Sequence, residues 1–362
     1  MRIGIIAPPW FELPPKGYGG IEWMCHWLTE ALVARGHEVV LIGAGRAATS
    51  ARFHATTPTP PTARLGEAFP EVVHVAGAAR VLEELEVDVV HDHTLSGPLL
   101  SFGRAAPTIV TAHGPVTPDA RALYGRLGRH ISLVAISDAQ RHGTPDLPWV
   151  GTVYNGVPVR QYPFSSRKED FVLFLGRMSP EKGVPLAIDA AREAGFPLVI
   201  AAKCNEPQER AYFEAEVRPR LGPGVDWIGE ADTATKKDLL SRARCLVFPI
   251  RWEEPFGIVM VEAMACGTPV VALPGGSVPE VVAHGVTGFV CRDPSELPAG
   301  LRRAETILPQ ACRERAAAHF SVERMAEGYE AVYQEAVLAR VAGSEDLDAR
   351  ASDAFGPMVT GG

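Results

Sequence analysis

The sequence predicts an α/β protein of two doubly wound, parallel-sheet domains that face each other across a cleft. Three observations lead there. Short apolar runs alternate with helical segments, as in chains of βαβ units. The alternation breaks at YNGVPVRQYPFSSRKED, residues 154–170, which is rich in turn formers and charge, and then restarts. Finally, the 362 residues are 46% hydrophobic and 22% charged, which suits two ordinary globular cores.

In the first half, RIGIIA (2–7) is an apolar strand, and residues 21–35 form an amphipathic helix closed by Gly36. VVLIG (39–43) is the next strand. The Thr/Pro/Ala-rich stretch 47–64 reads as a mobile loop or an irregular crossing. VDVVH (87–91), TIVTA (108–112) and LVAIS (133–137) are further buried strands. DARALYGRLGRH (119–130) is helix-like and carries Arg121, Arg126 and Arg129. That row reads as a solvated face, with a phosphorylated acceptor or a lipid surface as the alternative. Beyond the break, FVLFLG (171–176), LVIAA (198–202), VDWIG (225–229), CLVFPI (245–250) and PVVAL (269–273) are successive strands, and 184–195 is a helix ending at Gly195. Residues 321–340 are a long terminal helix, and the small, acidic stretch from about 342 to 362 is expected to be disordered. The domains expected are therefore 1–160 and 161–320, with a crossing helix at 321–341.

Composition excludes several classes. A net charge of −8 argues against nucleic acid as a partner. The six Cys form no C-x-x-C pair and mostly sit among apolar residues, as buried reduced thiols do. MRIGIIAPPW is a first strand rather than a signal peptide, and no apolar run approaches the roughly 18 residues of a membrane span. A cytoplasmic protein is expected, with peripheral membrane contact left open.

The most informative segment is EEPFGIVMVEAMACGTPVV (253–271). A buried strand leads through a Pro-Phe-Gly turn into an apolar helix, and free N–H groups at such a helix start favour an anion. Glu254 and Glu262 bracket the turn. Carboxylates beside an anion site bind something other than phosphate, and sugar hydroxyls are the natural donors to them. Phosphate and polyol together indicate a nucleotide sugar. Glu262 sits in VMVEAMAC, apolar on nearly all sides, where an unpartnered carboxylate would cost several kcal/mol. After another strand, GRMSPEKG (176–183) offers Arg177 and Lys182, a fork and a point charge suited to a diphosphate. GYGGIEW sets Gly17, Gly19 and Gly20 ahead of a helix, so that backbone can approach a phosphate; its spacing is not that of the dinucleotide motif.

These segments resemble the family-4 retaining glycosyltransferases, which have the GT-B fold of two Rossmann-like domains. The hallmark is Glu, seven residues, Glu, standing here as Glu254-Pro255-Phe256-Gly257-Ile258 through Glu262. ACGTPVVA and GGSVPEVV also look like that family, and the likeness runs from Met1 to about Arg340. With GYGGIEW and PIRWEEPFG, the chain is similar to the subgroup around the avilamycin-pathway glycosyltransferase. The resemblance implies a first domain for the acceptor, a second for the donor, and a terminal helix packing back on the first. It implies that Arg177 and Lys182 hold the donor diphosphate and leaving group. Glu254 and the 256–258 backbone would meet the transferred sugar and phosphates, and Glu262 the ribose. Gly19 and Gly20 would lie against the donor across the cleft. It also implies retention, no metal and no cofactor beyond the nucleotide-sugar co-substrate. The donor favoured is a UDP-sugar, its base read near residues 227–230, moving a hexosyl or pentosyl group to a small-molecule, glycan or glycolipid acceptor.

His113, in TAHG at a strand end, is by the same resemblance the residue that contacts the transferred sugar. His91-Asp92-His93 invites a zinc reading, but alternation puts the two His on one face and turns Asp92 away. Asp92 is instead expected to face the acceptor cleft. Asn155 and Gly156 read as a turn at the hinge. The sole Asp-x-Asp, Asp346-Leu347-Asp348, lies in the expected tail and is assigned no role. Front-face attack is the expected mechanism, with double displacement as the alternative. A nucleotide-sugar epimerase, a glycan phosphorylase and a catalytically silent nucleotide-sugar sensor are the competing functions.

Overall fold

A computed structural model describes residues 1–17 and 19–354, apart from the side chains of residues 341 and 343–354. It contains two parallel sheets. The first has seven strands: β1 (Arg2–Ile6), β2 (Glu38–Gly43), β3 (Arg52–Ala55), β4 (Val89–Asp92), β5 (Thr108–Ala112), β6 (Ser132–Ala135) and β7 (Trp149–Thr152). They lie in the order β3-β2-β1-β4-β5-β6-β7. The second has six: β8 (Val172–Arg177), β9 (Leu198–Lys203), β10 (Val225–Gly229), β11 (Cys245–Phe248), β12 (Val270–Ala272) and β13 (Gly288–Val290), in the order β10-β9-β8-β11-β12-β13. Helices on both faces explain why the central strands are apolar on both sides. Ile3, Ile5 and Ile6 of β1, and Val172 and Leu173 of β8, are sealed from solvent.

Every strand expected from the sequence forms, and three more appear. Strand β3 falls inside the stretch 47–64 that was expected to be a loop; Leu41 pairs with Phe53 and Ile42 with His54. β7 and β13 are the other two. All six Cys are free, five of them buried. No described helix is long and apolar enough to cross a membrane.

The terminal helix, Val322–Ala354, packs back on the first domain. Met325, Tyr329 and Tyr333 join Ile3, Leu28 and Ile109 in one core. The Tyr333 hydroxyl meets His91 Nδ1 at 2.7 Å, His91 Nε2 meets Thr111 Oγ1 at 2.8 Å, and Thr111 Oγ1 meets the Tyr329 hydroxyl at 2.8 Å. This satisfied network spans strand and helix in the interior, where an unpaired polar group is expensive. The helix also continues through residues 342–354, which were expected to be disordered. Four Ala stand there, but so do Gly343, two Ser and three Asp, all weak helix formers, and the first proline comes only at Pro357. Residues 355–362, the rest of that expected tail, lie outside the described residues.

The chain passes between domains twice, and the two passages touch. Val157 N donates to Phe320 O at 2.9 Å, and Val322 N donates to Val157 O at 3.1 Å. A Cβ on Gly156 would stand 2.3 Å from Ser321 O, so only glycine fits at that crossing. Nearby, the Glu280 carboxylate of the second domain accepts from the Asp138 and Ala139 N–H groups of the first, each at 2.8 Å.

Candidate functional site

Both sheets reverse their winding in the middle, between β1 and β4 and between β8 and β11. In doubly wound sheets the crevice opens at that reversal, beyond the carboxyl ends of the strands. The loops leaving β1, β8 and β11 are the three segments singled out in the sequence. They converge on a cleft of about 260 Å³ between the domains.

From the first domain come Gly17, Gly19 and Gly20, which lead into the helix Gly20–Ala34, together with Trp23 and Trp27. Tyr18 lies outside the described residues. Gly19 caps this helix at φ 140, a conformation open to glycine, and offers no side chain between helix start and cleft. From the second domain come Arg177, Lys182, Glu254, Gly257, Ile258 and Glu262. The helix Ile258–Ala265 begins at Gly257, whose φ of 70 is left-handed, so its first N–H groups are left without side-chain caps.

Lys182 and Glu254 are joined across this space. Lys182 Nζ donates to Glu254 Oε2 at 2.6 Å, and Trp252 Nε1 donates to the same oxygen at 2.9 Å. Lys182 also lies 4.9 Å from the Trp252 ring centroid, within cation–π range. Its position follows from Gly183, left-handed at φ 72, where a Cβ would strike Pro249 O at 2.0 Å. The loop after β8 therefore packs directly on the loop after β11. Arg177 Nη2 donates to Glu181 Oε1 at 2.9 Å, with its side chain 37% exposed.

Glu262 is buried and its Oε1 accepts twice, from the Tyr162 hydroxyl at 2.7 Å and from Lys236 Nζ at 2.5 Å. Its Oε2 has no protein donor among the described contacts and belongs to a residue that lines the cleft. Neither Tyr162 nor Lys236 was identified from the sequence. Each is a lone residue in an unremarkable segment, and only tertiary packing brings them to Glu262. Pro255 and Phe256 do not line the cleft. Phe256 is 2% exposed and packs against Tyr154 and Phe320, holding the turn from below. Near the expected base-reading segment, Glu230 and Ala231 line the cleft, whereas Trp227 is turned away by its Nε1 bond to Ala202 O at 3.1 Å.

His113 stands at the end of β5, outside this cleft and only partly exposed. His93 Nδ1 and His113 Nε2 are 2.9 Å apart, and burial pushes the His113 imidazole down to about 3, so the ring is neutral at pH 7. Asp92 requires a correction. It is fully buried and does not face an acceptor cleft: its Oδ1 accepts from Thr94 N at 3.0 Å and Thr94 Oγ1 at 2.7 Å, and Arg104 lies 3.5 Å from Oδ2. Alternation did turn it away from His91 and His93, but that opposite face is covered by the Thr94–Gly97 turn. His91 has both ring nitrogens committed to Tyr333 and Thr111. Among the described residues no group of three or more His, Cys, Asp or Glu is arranged to hold a metal.

One residue of GYGGIEW escaped the sequence reading. Glu22 is 3% exposed in the first turn of the cleft helix, and burial pushes its carboxyl up to about 7. Taken together, the cleft offers Arg177, Lys182, Lys203 and Lys236 against Glu230, Glu254 and Glu262. Each of these cations already meets a carboxylate, Arg177 with Glu181, Lys182 with Glu254, Lys203 with Glu206 and Lys236 with Glu262, so the space presents fixed cations and acceptor oxygens side by side. That combination can hold a group bearing both phosphates and hydroxyls.

Comparison with known proteins agrees with this geometry. Residues 18–161 match the model of Glycosyltransferase Family 4, and residues 160–317 match that of Glycosyl transferases group 1. The chain is 26% identical to the glycogen synthase of Mycobacterium tuberculosis, over 92% of its own length and 94% of that protein's. It superposes on AviGT4, a glycosyltransferase involved in avilamycin A biosynthesis, with a TM-score of 0.72 at 27% identity, covering 93% of this chain and 98% of that one. The fold is also shared with Anabaena HepE, solved in complex with UDP and glucose, at a TM-score of 0.71 and 20% identity over 92% and 100% of the two chains.

Proposed function

The chain belongs to the family-4 glycosyltransferases of GT-B fold, and from that premise we propose that it moves a hexosyl or pentosyl group from a UDP-sugar to an acceptor hydroxyl, with retention and without a metal ion. One observation carries the reading: Arg177 and the Lys182–Glu254 pair sit at the carboxyl ends of β8 and β11, opposite the glycine loop of the other domain. HepE, of the same fold, is solved with UDP, which favours uridine as the base.

In this reading Arg177 and Lys182 meet the donor diphosphate, and the helix starts at Gly257 and Gly20 add N–H groups directed at it. As the bond to the sugar breaks, negative charge grows on the leaving diphosphate. Cations fixed beforehand stabilise that charge more than the ground state, which lowers the barrier. They supply the charge a divalent ion would otherwise bring. Glu254, already oriented by Lys182 and Trp252, accepts from sugar hydroxyls. Glu262 offers Oε2 to the ribose while Tyr162 and Lys236 hold Oε1. His113, neutral, is the residue of the first domain that we assign to the transferred sugar. No side chain in the cleft is assigned as a covalent nucleophile, so front-face attack, with a donor phosphate oxygen taking the acceptor proton, is the mechanism favoured.

The test is thermal unfolding with UDP, GDP, ADP, dTDP or NAD, each in excess with EDTA. A ligand at about 100 times its Kd stabilises a fold by roughly 2.7 kcal/mol. Response to UDP supports the proposal, and response to another diphosphonucleoside replaces the base. A response to NAD alone would overturn the nucleotide-sugar site.

A further inference from the structure

Among the described residues, eight of the fourteen large apolar side chains that stand exposed fall between Leu65 and Phe102. They belong to two neighbouring elements of the first domain. The helix Ala68–Glu83 turns Phe69, Val72 and Val73 outward, at 76%, 50% and 57% exposure. These stand at i, i+3 and i+4, the spacing of a single helical face, and a helix on a globular domain ordinarily buries such a stripe. Leu95, Leu99 and Phe102 stand equally open around the turn Gly97–Gly103. Glu71 ties the two elements together: its Oε1 accepts from Leu95 N at 2.6 Å and Ser96 N at 2.8 Å. The result is one continuous apolar face, larger than scattered surface residues explain.

On the side of Phe102 its border is cationic, while at the other end Glu67 is neutralised by Arg64. Phe102 lies against His130, ring centroids 4.5 Å apart, and His130 closes the segment that carries the exposed Arg126 and Arg129. In a chain of net charge −8 this is a local reversal of sign. The face also has a telling position. It starts directly beyond Asp92, the last residue of β4, so it lies at the carboxyl-end side of the first sheet, where the cleft opens.

We propose that this face docks on an anionic lipid bilayer. Phe69, Val72, Val73, Leu99 and Phe102 enter the interface, and Arg126 and Arg129 meet lipid phosphates. Resting on the glycosyltransferase reading, this identifies the acceptor as a lipid reached from that surface. An apolar face bordered on one side by arginines is what the interface of an anionic membrane accommodates, since both terms add there. A second copy packed face to face would instead set two cationic borders against each other.

The test is flotation of the full chain with vesicles of phosphatidylcholine alone or with about a third phosphatidylglycerol, at low and high salt. The wild type should float with the anionic vesicles only, and salt should release it. The double variants F69S/V73S and R126Q/R129Q should each partition at least about tenfold more weakly. Both should keep the thermal shift with UDP, which shows that they are folded and that the donor site is intact. Failure of the folded wild type to float, equal flotation on both vesicles, or a dimer that F69S/V73S converts to monomer would each overturn the docking proposal. Loss of the UDP shift in the wild type would instead count against the donor site and leave the flotation result to decide docking independently.

Discussion

Replacing Lys182 by Met separates what this side chain does for the fold from what it does for the reaction. Its Nζ is 2.6 Å from Glu254 Oε2, the two side chains being 15% and 9% exposed. Ion pairs in open solvent contribute about 0–1 kcal/mol, and hydrogen bonds to charged groups about 1.5–3. Glu254 would keep its Trp252 bond and, lining the cleft, could take up water. The expected loss of stability is therefore about 1–2 kcal/mol, or a few degrees in Tm. The chemical effect should be larger. Removing one preorganised donor from a developing negative charge costs about 10²–10³ in kcat, roughly 2.7–4 kcal/mol. The assay is release of UDP from a UDP-sugar, with water as acceptor until the natural acceptor is in hand. At 25 °C the variant should be folded, should bind UDP more weakly, and should turn over more than about 100-fold slower. Lys182→Arg, which keeps the charge, should recover part of the rate. If Lys182→Met stays within tenfold of wild type while its Tm falls as expected, the pair is structural and the leaving-group assignment is wrong.

Three further outcomes are expected. Glu262→Ala should weaken UDP binding by about 1.5–3 kcal/mol, and Tyr162→Phe by about 1, since Lys236 alone then holds Oε1; identical calorimetric affinities in all three proteins would remove the ribose role. Glu22, raised from 4.5 to about 7 in the fold, favours the protonated native state, so its contribution is complete below pH 4.5 and is lost as pH rises through 7. The fall amounts to about 3 kcal/mol, visible in urea midpoints, and Glu22→Gln should flatten it and exceed wild type at pH 8; a flat wild-type profile would refute the assignment. Excess EDTA should leave UDP release unchanged, whereas abolition reversed by a divalent metal would show that the cations of the cleft are insufficient.

The strands missed in the sequence share a cause. β3, β7 and β13 are all sheet edges. An edge strand is covered less completely, so it needs no continuous apolar run: RFHA is polar and partly exposed, and WVGT is short and open. Central strands such as RIGII, buried on both faces, announce themselves. The site divides similarly. Glu254, Glu262, Arg177, Lys182 and the glycine loop lie in short contiguous motifs directly after strands, where topology guarantees convergence. Tyr162 and Lys236 have no local pattern and reach Glu262 across 100 and 26 positions of chain, whereas Trp252 lies only two residues from Glu254, inside the motif. Asp92 shows the limit of alternation, which predicts the face of a strand but not what covers that face.

The closing helix has a bearing on how the protein is made. Tyr329 and Tyr333 complete the hydrogen bonds of Thr111 and His91, groups laid down more than two hundred residues earlier. A ribosome delivers those tyrosines long after the strands whose polar groups they satisfy. Until they emerge, the amino-terminal half carries unpaired polar atoms and an open apolar seam, while the carboxy-terminal sheet can already assemble. Synthesis order and assembly order are thus inverted for the first domain. A fragment ending near residue 160, which the strand pattern would recommend as an autonomous unit, should need the helix supplied in trans to become soluble.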